Sequence, residues 1–198
     1  QAPIAEPTAV ALHAVEIGRE VLKKPLNQAK VLVIGGGAIG LLCALILEKN
    51  EKCKEIVLID TNEKRLKVCG GHLSSDTLKP DHSKIKENTF DLVFDTVGLE
   101  ITRQNSIKCV NAGGVIVHIG LAQPAGTFNF RKATLQEITF VGTYCYTNKD
   151  FEKTLTLLSN KTLGNLDWIE YRKLSKGADA FKQIHDGTCS APKIILIP

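Results

Sequence analysis

The sequence predicts an α/β fold, a doubly wound six-stranded parallel sheet with helices on both faces. Three observations carry this. Short β-prone apolar runs alternate with helical stretches along the chain. The turns between them are short, and in an alternating pattern that means parallel strands covered on both sides. Residues 30–60 read in order as strand, glycine turn, helix, strand and acid.

Taken from the N-terminus, Glu6-Pro7 should open a helix, because Pro suits the first helical position. That helix runs to about Leu22, and Lys23-Lys24-Pro25 stops it. Strand one is Val31 to Ile34, and its helix runs to about Lys49. Strand two is Ile56 to Ile59, followed by a short helix from Asn62 to about Cys69 that Gly70-Gly71 ends. Asp76-Thr77-Leu78 is a weaker third strand, and Asp91 to Asp95 is a firm fourth. A helix covers about Ile101 to Val110, and Ala112-Gly113-Gly114 turns into strand five, Val115 to Ile119. Thr139 to Thr143 is strand six. Two halves of three strands imply the order 3-2-1-4-5-6. Beyond the core at 30–145, residues 146–198 should hold a helix from about Asp150 to Ser159 and an extended piece at Trp168 to Arg172. A helix from Lys176 to His185 and a final strand, Lys193 to Ile197, complete the tail, and that strand is expected to leave the main sheet.

The run Gly35-Gly36-Gly37-Ala38-Ile39-Gly40 has the spacing G-x-G-x-x-G, and Asp60 follows Gly40 by 20 residues at the end of strand two. Each part suits the grip on a dinucleotide in a Rossmann unit. Gly35 allows the tight turn out of the strand. Gly37 lets a pyrophosphate come close, since a Cβ there would collide with it. Gly40 lets the helix lie against the sheet. The helix N-terminus, at Ala38 and Ile39, offers free N–H groups and a positive dipole end to the phosphates. Asp60 can accept both hydroxyls of an adenosine ribose, which favours NAD over NADP, whose 2′-phosphate would meet a carboxylate. Ligands in such sheets lie at the carboxyl ends of strands. Thr96-Val97-Gly98 should therefore line the adenine end and Ile119-Gly120-Leu121 the nicotinamide end.

Composition narrows the classes further. The excess of Lys and Arg over Asp and Glu is 25 against 21 and scattered, so no basic stripe points to nucleic acid. No apolar run approaches the roughly 20 residues of a membrane span. The first residues, Gln1 to Glu6, lack the basic start and apolar block of a signal peptide. The six cysteines form no C-x-x-C pair; Cys43, Cys69 and Cys109 fall in helix-like segments as small apolar fillers, and a reducing cytoplasm fits better than a disulfide-built secreted domain. The chain has no Met. Either Gln1 is a cut point within a longer protein, or methionines are absent for a technical reason.

Several segments resemble the zinc-type medium-chain alcohol dehydrogenases, most closely the sorbitol or polyol branch. They are Ala5 to Ala14, Val31 to Leu42, Asp60 with Arg65-Leu66, Asp91 to Gly98, Gly113 to Gly120, Gly142 to Thr147 and Pro192 to Pro198. Their order and spacing cover nearly the whole chain. In that family a separate catalytic domain lies mainly before the cofactor domain and carries the zinc ligands, including a Gly-His-Glu stretch. That stretch is not in this sequence. The resemblance therefore implies that residues 1–198 are the NAD-binding domain of a longer dehydrogenase, with an opening helix over 1–24. The C-terminal tail would return to the catalytic domain. Ser74-Ser75-Asp76, where Gly-Ala-Asp is common, departs from the family.

The resemblance implies further roles. Arg65 matches an arginine near the adenine. Glu6 stands where the polyol enzymes place a glutamate near the zinc-bound water, so it is the one candidate for a metal site, which this chain alone is not expected to fill. Tyr144 matches a residue near the nicotinamide and substrate cleft, although Cys145 stands where that branch often has Arg. His13 and His118 are expected to be packed or surface residues rather than ligands, and His72, His82 and His185, in polar surroundings, surface residues. The implied function is hydride transfer between a small alcohol or polyol and NAD, by a cytoplasmic homodimer joined through the strand at 139–143. Two alternatives stand beside it: a zinc-free quinone or enoyl reductase, usually NADPH-dependent, and a non-catalytic nucleotide-binding module. Asp60 and Glu6 argue against the reductase.

Overall fold

The computed structural model describes residues 2–198; Gln1, where the expected opening segment begins, lies outside the described residues. Six strands form one parallel sheet: β1 (Lys30–Ile34), β2 (Glu55–Ile59), β3 (Asp76–Leu78), β4 (Phe90–Asp95), β5 (Val110–His118) and β6 (Thr139–Gly142). Their spatial order is β3-β2-β1-β4-β5-β6, the expected order, and every neighbouring pair is parallel. The central strands are buried on both faces, which is why they read as unbroken apolar runs rather than alternating ones.

Helices α1 (Ala2–Val21) and α2 (Ala38–Leu45) cover one face. Their core layer joins Ile4, Leu12, Val15, Leu42 and Ile46 to Val33, Leu92 and Phe94 of the sheet. On the other face, Ile107 and Cys109 of α4 (Glu100–Cys109) pack on Leu32, Val93 and Ile116. Helix α3 (Glu63–Gly70) links β2 to β3. Helix α6 (Asn148–Ser159) lies beside α1, and a π-helical turn, Ile46–Asn50, extends α2 close to the expected end. Strands β7 (Ile169–Lys173) and β8 (Lys193–Ile197) form a separate parallel pair with α7 (Gly177–His185) between them, so the last strand does leave the main sheet.

Three expectations need correction. Pro7 does not open α1; the helix starts at Ala2 and Pro7 lies inside it. Pro7 cannot donate to the carbonyl four residues back, in the first turn, and such a loss costs about 3 kcal/mol in a helix interior. Burial of Ile4, Ala5, Thr8 and Ala9 offsets it, and Thr8 Oγ1 donates to the Ile4 carbonyl at 2.7 Å. Strand five starts earlier than Val115. Val110 pairs with Phe90, the register then slips, and Leu92 pairs with Val115, so residues 111–114 bulge out of the ladder. Gly113, at φ +67°, makes that bulge possible, and its N–H donates to the Gln136 carbonyl. Finally, a short helix, α5 (Phe130–Leu135), stands where no helix is expected.

Candidate functional site

The carboxyl ends of β1, β2, β4 and β5 lie side by side at one edge of the sheet, and the glycine turn leads from β1 into α2. Gly35 has φ +105°, and a Cβ there would lie 2.6 Å from Val97 Cγ2. A Cβ on Gly40 would lie 1.8 Å from the Gly35 carbonyl oxygen, so only Gly lets α2 pack this closely on the turn. Gly37 differs: nothing lies within 4 Å of its Cβ position. The protein leaves that space open in front of the N-terminus of α2, where no side chain caps the N–H groups beyond Gly37. Those unpaired donors and the dipole suit an anion.

Asp60 closes the second side. Its Oδ2 accepts from the Gly36 N–H at 2.6 Å and its Oδ1 from the Asn62 N–H at 2.8 Å. A carboxylate has about four acceptor positions, so both oxygens keep capacity for hydroxyl donors. Arg65 is not a solvated surface residue. Its Nη1 lies 3.6 Å from Asp60 Oδ2, its Nη2 donates to the Cys189 carbonyl at 2.9 Å, and its buried Nε has no partner. Asn62 caps α3 through the Arg65 N–H and donates its amide to the Gly187 and Cys189 carbonyls. Beneath the turn, Cys69 is buried with its thiol pushed up to about 12, chiefly by loss of solvent, so it serves as packing.

The third side is the pair of turns after β4 and β5. Thr96 Oγ1 donates to the Ile34 carbonyl at 2.8 Å, tying β4 to β1. Asp95, fully buried, takes the Val97 and Gly98 N–H groups on Oδ1 and Thr102 Oγ1 on Oδ2, with His118 Nδ1 3.2 Å away. Burial alone would raise its carboxyl, but the bonds from His118, Gly98, Val97 and Thr102 outweigh that and hold it below the ordinary range. Gly98 and Gly120 are in contact, for a Cβ on Gly98 would stand 2.1 Å from the Gly120 carbonyl oxygen. The Ile119 and Gly120 N–H groups both donate to the Asp95 carbonyl. Leu121 and Tyr144 are exposed, and Thr143 N–H donates to the His118 carbonyl, bringing the end of β6 beside that of β5. Helix α6 begins just beyond, where Asp150 bonds Thr147 and His13. Neither His13 nor His118 is a surface residue: each faces a buried aspartate, and Asp150 is held low because these bonds outweigh its burial.

Glu6 stands apart. It is exposed on α1, past the first turn. Among the described residues no group of three or more His, Cys, Asp or Glu could hold a metal ion. Residues the sequence reading passed over also reach the cleft. Lys193 and Ile194 of β8 and Phe181 and Ile184 of α7 face Gly37 and Arg65 across a cavity of 300 Å³. No local pattern signals that contact, because it joins segments more than a hundred residues apart.

Residues 38–160 match the family model described as zinc-binding dehydrogenase, most of the chain from the glycine turn through α6. The chain belongs to the zinc-binding dehydrogenase family. Among curated relatives, it is 27% identical over its full length to (R,R)-butanediol dehydrogenase of Saccharomyces cerevisiae, covering 54% of that enzyme. It is 28% identical to D-xylulose reductase of the same yeast, over 90% of the chain and 52% of the enzyme. The chain thus spans about half the length of the relatives it matches. Among solved structures, L-idonate 5-dehydrogenase of Escherichia coli superposes with a TM-score of 0.83 at 24% identity, covering all of this chain and 57% of that one. Acetophenone reductase of Geotrichum candidum, solved in complex with NAD, superposes with a TM-score of 0.84 at 18% identity, over 98% of this chain and 54% of that one. At these identities the superpositions establish the family fold.

Proposed function

We propose that this chain is the NAD(H)-binding part of a dehydrogenase that moves hydride between a small alcohol or polyol and NAD. The observation that carries the reading is the pairing of open space at Gly37 with a carboxylate at Asp60. An anion fits the first and a ribose diol the second, and the partnerless Arg65 Nε offers a further donor beside that diol. On this reading the α2 N-terminus with Gly35, Gly37, Ala38, Ile39 and Gly40 takes the pyrophosphate. Asp60 takes the adenosine ribose, with Arg65 beside the adenine; Thr96, Val97 and Gly98 border the adenine end, and Ile119, Gly120, Leu121 and Tyr144 border the nicotinamide end. When bound, NAD supplies the hydride acceptor; these residues bind and orient it.

The relatives' names, a butanediol dehydrogenase and a xylulose reductase, support an alcohol or polyol substrate. Among the described residues no group of three or more side chains fits zinc, so zinc in the parent enzyme would take ligands from outside this chain. Among the described residues no helix is long and apolar enough to cross a membrane. The six cysteines are unpaired, which supports a reducing compartment such as the cytoplasm. The NADPH-dependent reductase reading is weaker, because a 2′-phosphate would sit against Asp60.

The test is a fluorescence titration with NADH and NADPH. NADH should bind more tightly, and Asp60→Ala should weaken NADH by roughly tenfold, the worth of about 1.4 kcal/mol in charge-assisted bonds, while narrowing the gap between the two. Tighter binding of NADPH by the unaltered protein would sink the reading.

A further inference from the structure

Helix α4 buries a guanidinium against the cleft. Arg103 has little exposed surface, and all its bonds go to main-chain carbonyls. Its Nη1 donates to Gly98 at 2.9 Å and to Gln123 at 3.2 Å, and its Nη2 donates to Ala125 at 2.6 Å. Gly98 belongs to the turn after β4, whereas Gln123 and Ala125 belong to the irregular segment after β5. One side chain therefore spans the two turns that border the proposed cofactor cleft.

We infer that Arg103 is a positioning residue for the nicotinamide end of that cleft. The inference rests on the NAD(H) reading above. Its force comes from an asymmetry between the two turns. The β4 turn is anchored without Arg103: Asp95 holds the Val97 and Gly98 N–H groups, and Thr96 bonds the Ile34 carbonyl. The segment after β5 is not anchored so well. Main-chain bonds from Ala122 to Val97 and from Gln123 to Gly98 reach only its first half. Beyond Gln123 the chain bends around Pro124 and borders an open cavity of 680 Å³ lined by Leu121, Phe128, Phe130 and Phe140. There the side chains of α4 hold it: Arg103 takes Ala125, and Glu100 takes the Thr127 N–H at 3.1 Å. The fit is tight, since a Cβ on Gly126 would lie 2.7 Å from Arg103 Nη2.

Removing the guanidinium leaves the Ala125 carbonyl without that donor and loosens residues 124–126, which border the same cavity as Leu121. On the adenosine side, Asp60, Arg65 and the glycine turn make no bond to Arg103, and the Gly98 turn that it does touch keeps its anchors at Asp95 and Thr96. The loss should thus fall chiefly on the nicotinamide half of the cofactor. A residue that merely stabilised the fold would weaken both halves together.

The experiment compares NADH with ADP-ribose, which lacks the nicotinamide ring, by calorimetric titration of the intact protein. Unaltered protein should prefer NADH. Arg103→Met should lower NADH affinity by roughly tenfold and change ADP-ribose affinity by less than about twofold. Arg103→Lys, which keeps the charge but not the fork, should fall between; it decides the matter if the Met variant does not fold. Equal losses for both ligands, no loss, or no preference for NADH in unaltered protein would overturn the inference. Unaltered protein that bound neither ligand would remove the cofactor reading and the inference with it.

Discussion

Asp95 shows how one side chain can set the shape of a cleft without facing it. Its carboxylate gathers two N–H groups, a hydroxyl and an imidazole at a fully buried position. A buried charge is tolerated only when it is bonded in this way. Because its folded pKa lies below the unfolded value near 3.9, its contribution is complete above about pH 4 and is lost as pH falls through the folded value. Asp95→Asn removes the charge and leaves one acceptor oxygen where there were two, so the Thr102 hydroxyl loses its acceptor on that side. Stability at pH 7 should drop by roughly 2 kcal/mol, and the gap between variant and unaltered protein should close on acidification. Urea melts from pH 7 to pH 3 measure this, and a gap independent of pH would rule the explanation out.

At the scale of elements, the junction of β1 and α2 separates glycines that serve the fold from one that serves a ligand. A Cβ on Gly40 would strike the Gly35 carbonyl oxygen, whereas one on Gly37 would meet no protein atom. Gly40→Ala should therefore push α2 off the turn and cost about 3 kcal/mol, at the upper end for overpacking. Gly37→Ala should leave stability within about 0.5 kcal/mol, as for a substitution that touches nothing, yet weaken NADH binding. Thermal melts beside NADH titrations distinguish them; a Gly37→Ala protein that binds NADH normally would mean that the pyrophosphate lies elsewhere. Both glycines were legible in the sequence because the motif is local: strand, turn, helix and acid lie within about thirty residues. Helix α5 was not legible, since none of its six residues is fully buried and they show no periodicity. The bulge at 111–114 was read only as a turn, because a slip in register depends on β4 as well as β5. Lys193 and Arg103 escaped notice for a related reason: Lys193 reaches Gly37 from the far end of the chain, and the carbonyls Arg103 holds lie in a loop whose path the sequence does not reveal.

The whole molecule leaves one sheet edge unpaired on the β6 side, where the strand order ends. Exposed apolar side chains surround it, among them Phe130, Leu135 and Phe140. An open strand edge beside an apolar patch invites pairing with another chain. We propose a homodimer in which β6 pairs with β6 of a second copy. A two-fold axis makes those strands antiparallel and buries the same patch from both sides. The hydrogen-bond pattern shows which residues would take part. Thr143 N–H donates inward to the His118 carbonyl. Successive N–H groups along a strand point to alternate sides, so that of Val141 also faces β5, and those of Phe140 and Gly142 face outward. Gly142 is the better test site, because a side chain added there meets nothing within 4 Å. Gly142→Pro should remove an outward donor and shift the protein toward monomer while sparing the β5–β6 ladder. Val141→Pro should instead break that ladder and lower stability by about 3 kcal/mol. Light scattering across a concentration series, with thermal melts of the same samples, separates the two effects. A monomer at every concentration in unaltered protein, or a Gly142→Pro dimer of undiminished affinity, would show that β6 is not the interface.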